Sequence, residues 1–216
     1  MFNLDKKILV AINNCNSAFF DDFFSIYSGK YIWLLTAAAI IFVIFKTQKI
    51  REVWAVAIAV ALVILLADQI SSSLIKPLVC RLRPCAEPSL NGLLNIVCNH
   101  CGGWSFPSSH AANGFAFASF TALLFKNRLY SLTIFLWATL TAYSRIYLAM
   151  HYPLDILCGI MLGLAVGIFV YYLLEKFMPN CTLRPIGNKF AVIIVSVFVF
   201  TLVAMSIFHS QMLILA

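Results

Sequence analysis

Lys76-Pro-Leu-Val-Cys-Arg-Leu-Arg83-Pro84, then Pro107-Ser108-Ser109-His110, then Ser144-Arg145 with His151 five residues on and Asp155 after three more, are three polar interruptions of an apolar stretch. Each adjoins an apolar segment long enough to enter a bilayer. Together they gather the cations Lys76, Arg83 and Arg145, the imidazoles of His110 and His151, and the carboxylate of Asp155. That set suits a phosphate ester. Cations hold its oxygens, one imidazole attacks phosphorus, and another protonates the leaving oxygen.

The surroundings decide the fold. The chain has 216 residues, 62% hydrophobic and 11% charged, with mean hydropathy +0.95. A soluble domain is about half apolar and about a quarter charged. The excess apolar surface needs lipid, so the sequence predicts an all-α polytopic membrane protein. Apolar runs at 31–45, 53–75, 113–125, 129–143, 154–177 and 190–208 predict a bundle of about six transmembrane helices at about 20 residues per span. They form one membrane-embedded domain over 1–216. Residues 76–155 are its catalytic region.

Residues 1–30 are expected at the membrane interface. Asp5-Lys6-Lys7 ahead of Ile-Leu-Val-Ala-Ile reads as a short amphipathic helix. Phe19, Phe20, Phe23 and Phe24 around Asp21 and Asp22 read as an aromatic anchor. Charges at Asp5, Lys6 and Lys7 and the break at Asn13-Asn14 do not fit a secretory signal.

Net charge is +7. Its placement in short connections speaks for membrane topology and not for nucleic acid. The clusters fall at the end of the second span, the start of the third, and between the fourth and fifth. Alternating direction puts all three on one side. The opposite connections carry eight cations and the site side seven, of which Lys76, Arg83 and Arg145 belong to the clusters. The positive-inside rule therefore predicts an inner-membrane protein with its active-site loop facing the periplasm or cell exterior. Cys80, Cys85, Cys98 and Cys101 lie in the 79–106 loop, where an oxidising compartment would allow two disulfides. The alternative is a zinc site built on Cys98-Asn-His-Cys101.

His151 and Asp155 are four apart, so on a helix they share a face. Asp155 can accept from one ring nitrogen and leave the other free to attack. Ser108 and the N–H groups of Ser109 and His110 open the third span, a natural anion site. Asp68 lies in the second span, two turns before Lys76. A carboxylate at that depth either serves the site or pairs between helices. Gly159, Gly163 and Gly167 recur every four residues and predict a flat helix face for close packing.

The three clusters resemble the signature of the type 2 phosphatidic acid phosphatase superfamily: Lys, six residues, Arg-Pro; Pro-Ser-Gly-His; Ser-Arg, five residues, His, three residues, Asp. The match covers residues 76–155. The resemblance implies a six-helix lipid phosphatase with no metal and no cofactor. It implies His151 as nucleophile, Asp155 as its partner and His110 as general acid, with Lys76, Arg83, Ser108 and Arg145 on phosphate. Ser109 stands where the family has glycine; its N–H, with its hydroxyl as an added contact, is then expected on phosphate. Ser144 belongs to the motif as a supporting residue.

The expected reaction is hydrolysis of a lipid phosphate or diphosphate through phosphohistidine, with undecaprenyl diphosphate as substrate. The alternatives are phosphatidylglycerophosphate, lipid A, or phosphoryl transfer to another lipid. A transporter would leave the ordered His110, His151 and Asp155 without a purpose, and the vanadium haloperoxidases of the same superfamily are largely soluble.

Overall fold

The structure is a computed structural model that describes residues 2–29, 31–97, 101–178 and 184–212. The described residues form an all-α protein with no strand beyond one isolated bridge. In chain order the helices are α1 Phe2–Asn13, α2 Ala18–Tyr27, α3 Leu34–Thr47, α4 Ile50–Asp68, α5 Lys76–Val79, α6 Ser109–Phe125, α7 Arg128–Tyr147, α8 Pro153–Phe177 and α9 Asn188–Met212. A π-helical segment, Gln69–Ile75, joins α4 to α5, so the second span runs unbroken over Ile50–Val79.

Among the described residues three helices are long and apolar enough to cross a bilayer, Ile50–Val79, Pro153–Phe177 and Asn188–His209. They become four if α2 and the segment Tyr31–Thr47 make one bent span. The helix α6 is shorter, at 17 residues. It sits at the centre, packed on α8, α7 and α4. Its small residues Ala111, Ala112, Ala116 and Ala118 are fully buried. Outward side chains such as Trp54, Ile58, Leu132, Met161 and Phe200 are exposed by more than 60%. An apolar shell of that extent belongs in lipid.

The glycine reading holds. A Cβ on Gly159 would stand 2.6 Å from the Ser108 carbonyl, and one on Gly163 would collide with the Ala112 carbonyl. One on Gly167 would meet the Ser119 hydroxyl and the Ala116 carbonyl. Without side chains there, α8 lies directly on the α6 backbone.

Helix starts follow local chemistry. Ser17, Ser108 and Asn127 cap α2, α6 and α7 by accepting from the N–H groups of Phe20, Ala111 and Tyr130. Pro153 opens α8 at a position whose N–H has no helical partner in any case.

The N-terminal helices pack inward more than their sequence suggests. On α1 the stripe Asp5, Leu9 and Asn13 is buried while Leu4 and Ile8 are exposed. On α2, Phe24 packs against Tyr143 and Tyr147 of α7, and Tyr27 is fully buried. The phenylalanines expected as an anchor thus divide. Phe19 and Phe20 face outward and Phe24 faces the bundle.

Candidate active site

The ends of α5 and α7 and the starts of α6 and α8 meet at one end of the bundle. Local hydrogen bonds fix each junction. The Arg145 carbonyl accepts from the N–H groups of Met150 and His151, at 3.0 and 3.1 Å, and Ala149 turns left-handed with φ 54°. This reversal folds the chain back from α7 into α8 and buries His151 to 1% exposure. The Ser108 N–H donates to the Asp155 carbonyl at 3.0 Å, which ties the second cluster to the third. The first and second clusters are joined by an antiparallel bridge between Leu82 and Trp104. Beside it the Ser105 N–H donates to the Arg81 carbonyl at 2.8 Å.

The residues expected from sequence converge here. His151 Nδ1 stands 3.5 Å from Asp155 Oδ2, a longer approach than a well-formed hydrogen bond. Asp155 is fully buried and its carboxylate is held from two sides. Oδ2 accepts from the Tyr152 N–H at 2.9 Å, and Oδ1 accepts from Arg81 Nη1 at 2.6 Å. Arg145, Lys76, Arg83 and His151 all act on His110 electrostatically, and Arg145 and Arg83 act likewise on His151. Burial, and then those two guanidiniums, push the His151 imidazole down to about 4, against the opposing pull of Asp155. It is therefore neutral at physiological pH.

Two motif hydroxyls have partners of their own. The Ser109 hydroxyl pairs with the Ser72 hydroxyl at 2.9 Å. Ser72 in turn donates to Asp68 Oδ1 at 3.3 Å, and Asn113 Nδ2 reaches the same oxygen at 3.5 Å. Asp68 is thus linked to the second cluster through two hydroxyls on the π-helical segment and α6. The side chain of Ser144 is buried and donates to the Thr141 carbonyl at 2.7 Å, so its hydroxyl serves its own helix.

The loop cysteines support the disulfide reading in part. Cys85 and Cys101 form a disulfide, which removes two thiolates from any zinc set. Cys80 carries a free, exposed thiol. Cys98 lies outside the described residues. One bridge, not two, braces the described loop.

Sequence reasoning missed Arg81, Asp5 and Tyr152. Arg81 is a cation between Lys76 and Arg83 outside the motif positions, and Asp5 is far from Asp155 in the chain, in a segment with no motif. No spacing rule joins them.

Residues 57–179 match the PAP2 superfamily. A lipid A 4'-phosphatase of Bacteroides thetaiotaomicron is 38% identical over 176 residues, covering 81% of this chain and 78% of that one. The undecaprenyl-diphosphatase BcrC of Bacillus subtilis is 30% identical over 93 residues, 43% of this chain and 47% of that one. The crystal structure of Aquifex aeolicus LpxE has a TM-score of 0.59 at 26% identity, covering 78% of this chain and 95% of that chain.

Proposed function

The chain belongs to the PAP2 superfamily, and from that premise we propose that it removes phosphate from a lipid A-type glycolipid through a phosphohistidine on His151. Its class, a membrane lipid phosphatase, follows from the family and from the relatives. The substrate expected from sequence, undecaprenyl diphosphate, gives way to the alternative. Similarity to the lipid A 4'-phosphatase extends over 81% of the chain at 38% identity, against 43% and 65% of the chain at 30% identity for two undecaprenyl-diphosphatases. It therefore includes regions outside the phosphate motifs, where a headgroup would be distinguished.

One observation carries the mechanism: His110, the His151–Asp155 pair and the cations Lys76, Arg83 and Arg145 meet at one end of the bundle. The cations and Ser108 hold the phosphate oxygens and offset charge as it develops. Asp155 faces Nδ1 of His151, and Nε2 attacks phosphorus. The Nε2–P bond forms as the P–O bond to the sugar breaks, and His110 gives its proton to the leaving oxygen. Water then attacks phosphorus, His110 takes its proton, and inorganic phosphate leaves with His151 restored.

The test is phosphate release in detergent without added metal, from lipid A, undecaprenyl diphosphate and phosphatidylglycerophosphate in parallel. Highest kcat/KM on lipid A, lost in His151→Ala, supports the proposal. A higher value on either other lipid overturns the substrate while leaving the mechanism.

The pH profile has a defined sign. Only neutral His151 has a lone pair for attack, and its depressed value of about 4 keeps it neutral well below the ordinary histidine range. The acid limb of kcat/KM should rise through pH near 4 and not near 6.5. A limb centred at 6.5 or above, with chemistry rate-limiting, contradicts the assignment. The same shift makes this group lower stability as pH falls from about 6.5 to about 4, where the unfolded chain binds the proton and the folded chain does not.

The proposal also places the site on the periplasmic face. The Cys85–Cys101 disulfide at the site end supports an oxidising compartment. Cys80, free and exposed beside it, reports the side directly. In spheroplasts of a Cys15→Ser/Cys98→Ser/Cys158→Ser background, a membrane-impermeant maleimide should label Cys80, and Cys80→Ser should abolish that label. Labelling only after lysis would reverse the orientation.

A further inference from the structure

A charged triad of two buried carboxylates and a part-buried arginine stands behind Asp155. Arg81 donates through Nη1 to Asp155 Oδ1 at 2.6 Å and through Nη2 to Asp5 Oδ2 at 2.5 Å. Its guanidinium lies 3.8 Å above the centre of the Tyr152 ring. The other oxygen of Asp5 accepts from the Leu154 N–H at 2.9 Å, in the first turn of α8. Asp5, Tyr152 and Asp155 are 3%, 1% and 0% exposed. Helix α1 therefore reaches the catalytic region through one arginine and one backbone amide.

A structural explanation of this triad is weak. A buried ion pair gains little over apolar residues of the same shape, because desolvation offsets the attraction. Docking of α1 also has other anchors. Lys6 donates to Glu87 and Ser89 at 3.1 and 2.7 Å, and Asn13 donates to the carbonyls of Asn95 and Tyr147 at 2.9 and 2.7 Å. Beyond docking, Arg81 holds Oδ1 of the carboxylate whose Oδ2 faces His151. Two carboxylates and a ring face require a planar fork with several donors, which a lysine lacks.

We propose that Arg81 and Asp5 are positioning residues for the reaction: Arg81 orients Asp155 toward His151, and Asp5 on α1 holds Arg81 in place. The N-terminal helix is thereby part of the catalytic apparatus. This inference rests on the reading that His151 attacks with Asp155 at its back. A second-tier group of this kind typically carries about 10- to 100-fold of activity.

The test uses the full chain in detergent, with metal-free phosphate release from lipid A. Arg81→Met should lower kcat by about 10- to 100-fold with KM within about threefold, since the phosphate-holding cations remain. Arg81→Lys should recover less than half of that loss on a logarithmic scale. Asp5→Asn keeps an acceptor for the Leu154 N–H and should lower kcat by about three- to tenfold. The double variant Asp5→Asn/Arg81→Met should be no worse than Arg81→Met, because Asp5 acts through Arg81.

A pH profile separates positioning from mere folding. His151 is faced by Asp155 of α8, Arg145 of α7, His110 of α6 and Arg83 of the loop. Asp155 is faced by Arg81 and Lys76, with Asp5 behind Arg81. Removing Arg81 leaves the Asp155 charge less offset, so His151 becomes easier to protonate and the acid limb moves up by about one unit. Loss of folded enzyme alone would scale the curve without moving it.

Wild-type kcat and an unmoved limb in Arg81→Met overturn the inference. If that variant does not fold, the same result in Asp5→Asn overturns it. Absence of His151-dependent release in the unaltered protein would instead sink the proposed function. His151-dependent release with unaffected Arg81 and Asp5 variants sinks only this inference.

Discussion

His151→Ala should lower metal-free phosphate release by at least about 10³-fold, the scale on which removal of a covalent nucleophile is felt. The residue is 1% exposed and sits beside Asp155, Arg145 and Arg83. An alanine leaves the phosphate-holding cations in place, so the lipid should still bind with KM little changed. The phosphoryl-enzyme seen by acid-labile labelling from a phosphorus-32 substrate should vanish. His110→Ala should behave differently. If His110 protonates the leaving oxygen, its loss costs about 10²- to 10⁴-fold on a sugar alkoxide, and far less on an aryl phosphate whose leaving group needs no proton. Equal losses on both substrates would remove His110 from the acid role. Retention of a labelled phosphoryl-enzyme in His151→Ala would remove His151 from the nucleophile role.

Gly163→Val should be the most damaging substitution away from the chemistry. A Cβ alone would collide with the Ala112 carbonyl and stand 3.0 Å from the Phe115 Cβ. Those groups belong to the neighbouring helix and cannot swing aside as a flexible side chain could. The α6–α8 contact must open, at a cost of about 3 kcal/mol or more. The start of α6 carries Ser108 and His110, and the start of α8 carries Asp155, so the separation also parts the site. The expected result is a lower melting temperature in detergent together with loss of activity. Gly102→Ala is the matched control: a Cβ there meets nothing within 4 Å, and stability should be unchanged. A Gly163→Val protein as stable as the parent would mean that α8 does not rest on α6 in this way.

The motif residues were legible because their chemistry is local. His151 and Asp155 stay close in the chain, although His151 stands in the bend before α8 and only Asp155 lies in its first turn, not both on one helix as the spacing suggests; Ser108 caps α6 with its own side chain, and Pro153 starts α8 by its fixed φ. The glycine face was legible for the same reason, since a four-residue repeat stays on one side of a helix whatever lies opposite. Helix ends were less so. The second span runs to Val79 through a π-helical segment, and a π turn has no composition signal to separate it from α. The inward docking of α1 was hidden because the same amphipathic pattern serves a lipid surface or a protein one.

By itself the sequence determined that the chain lives in a membrane, that it is all-helical, and that its polar clusters share one end of the bundle. Hydropathy period and alternating direction are enough for that, because lipid leaves helices as the economical way to satisfy every backbone group. Only the tertiary structure decided what stands behind Asp155, where the Ser109 hydroxyl points, and which loop cysteines meet. Those outcomes depend on contacts between residues remote in the chain, such as Asp5 with Arg81 and Cys85 with Cys101. No local propensity encodes them. They arise when packing of α6 on α8 and α1 on the loop brings distant side chains within hydrogen-bond reach, in a place where burial leaves each charge dependent on the next.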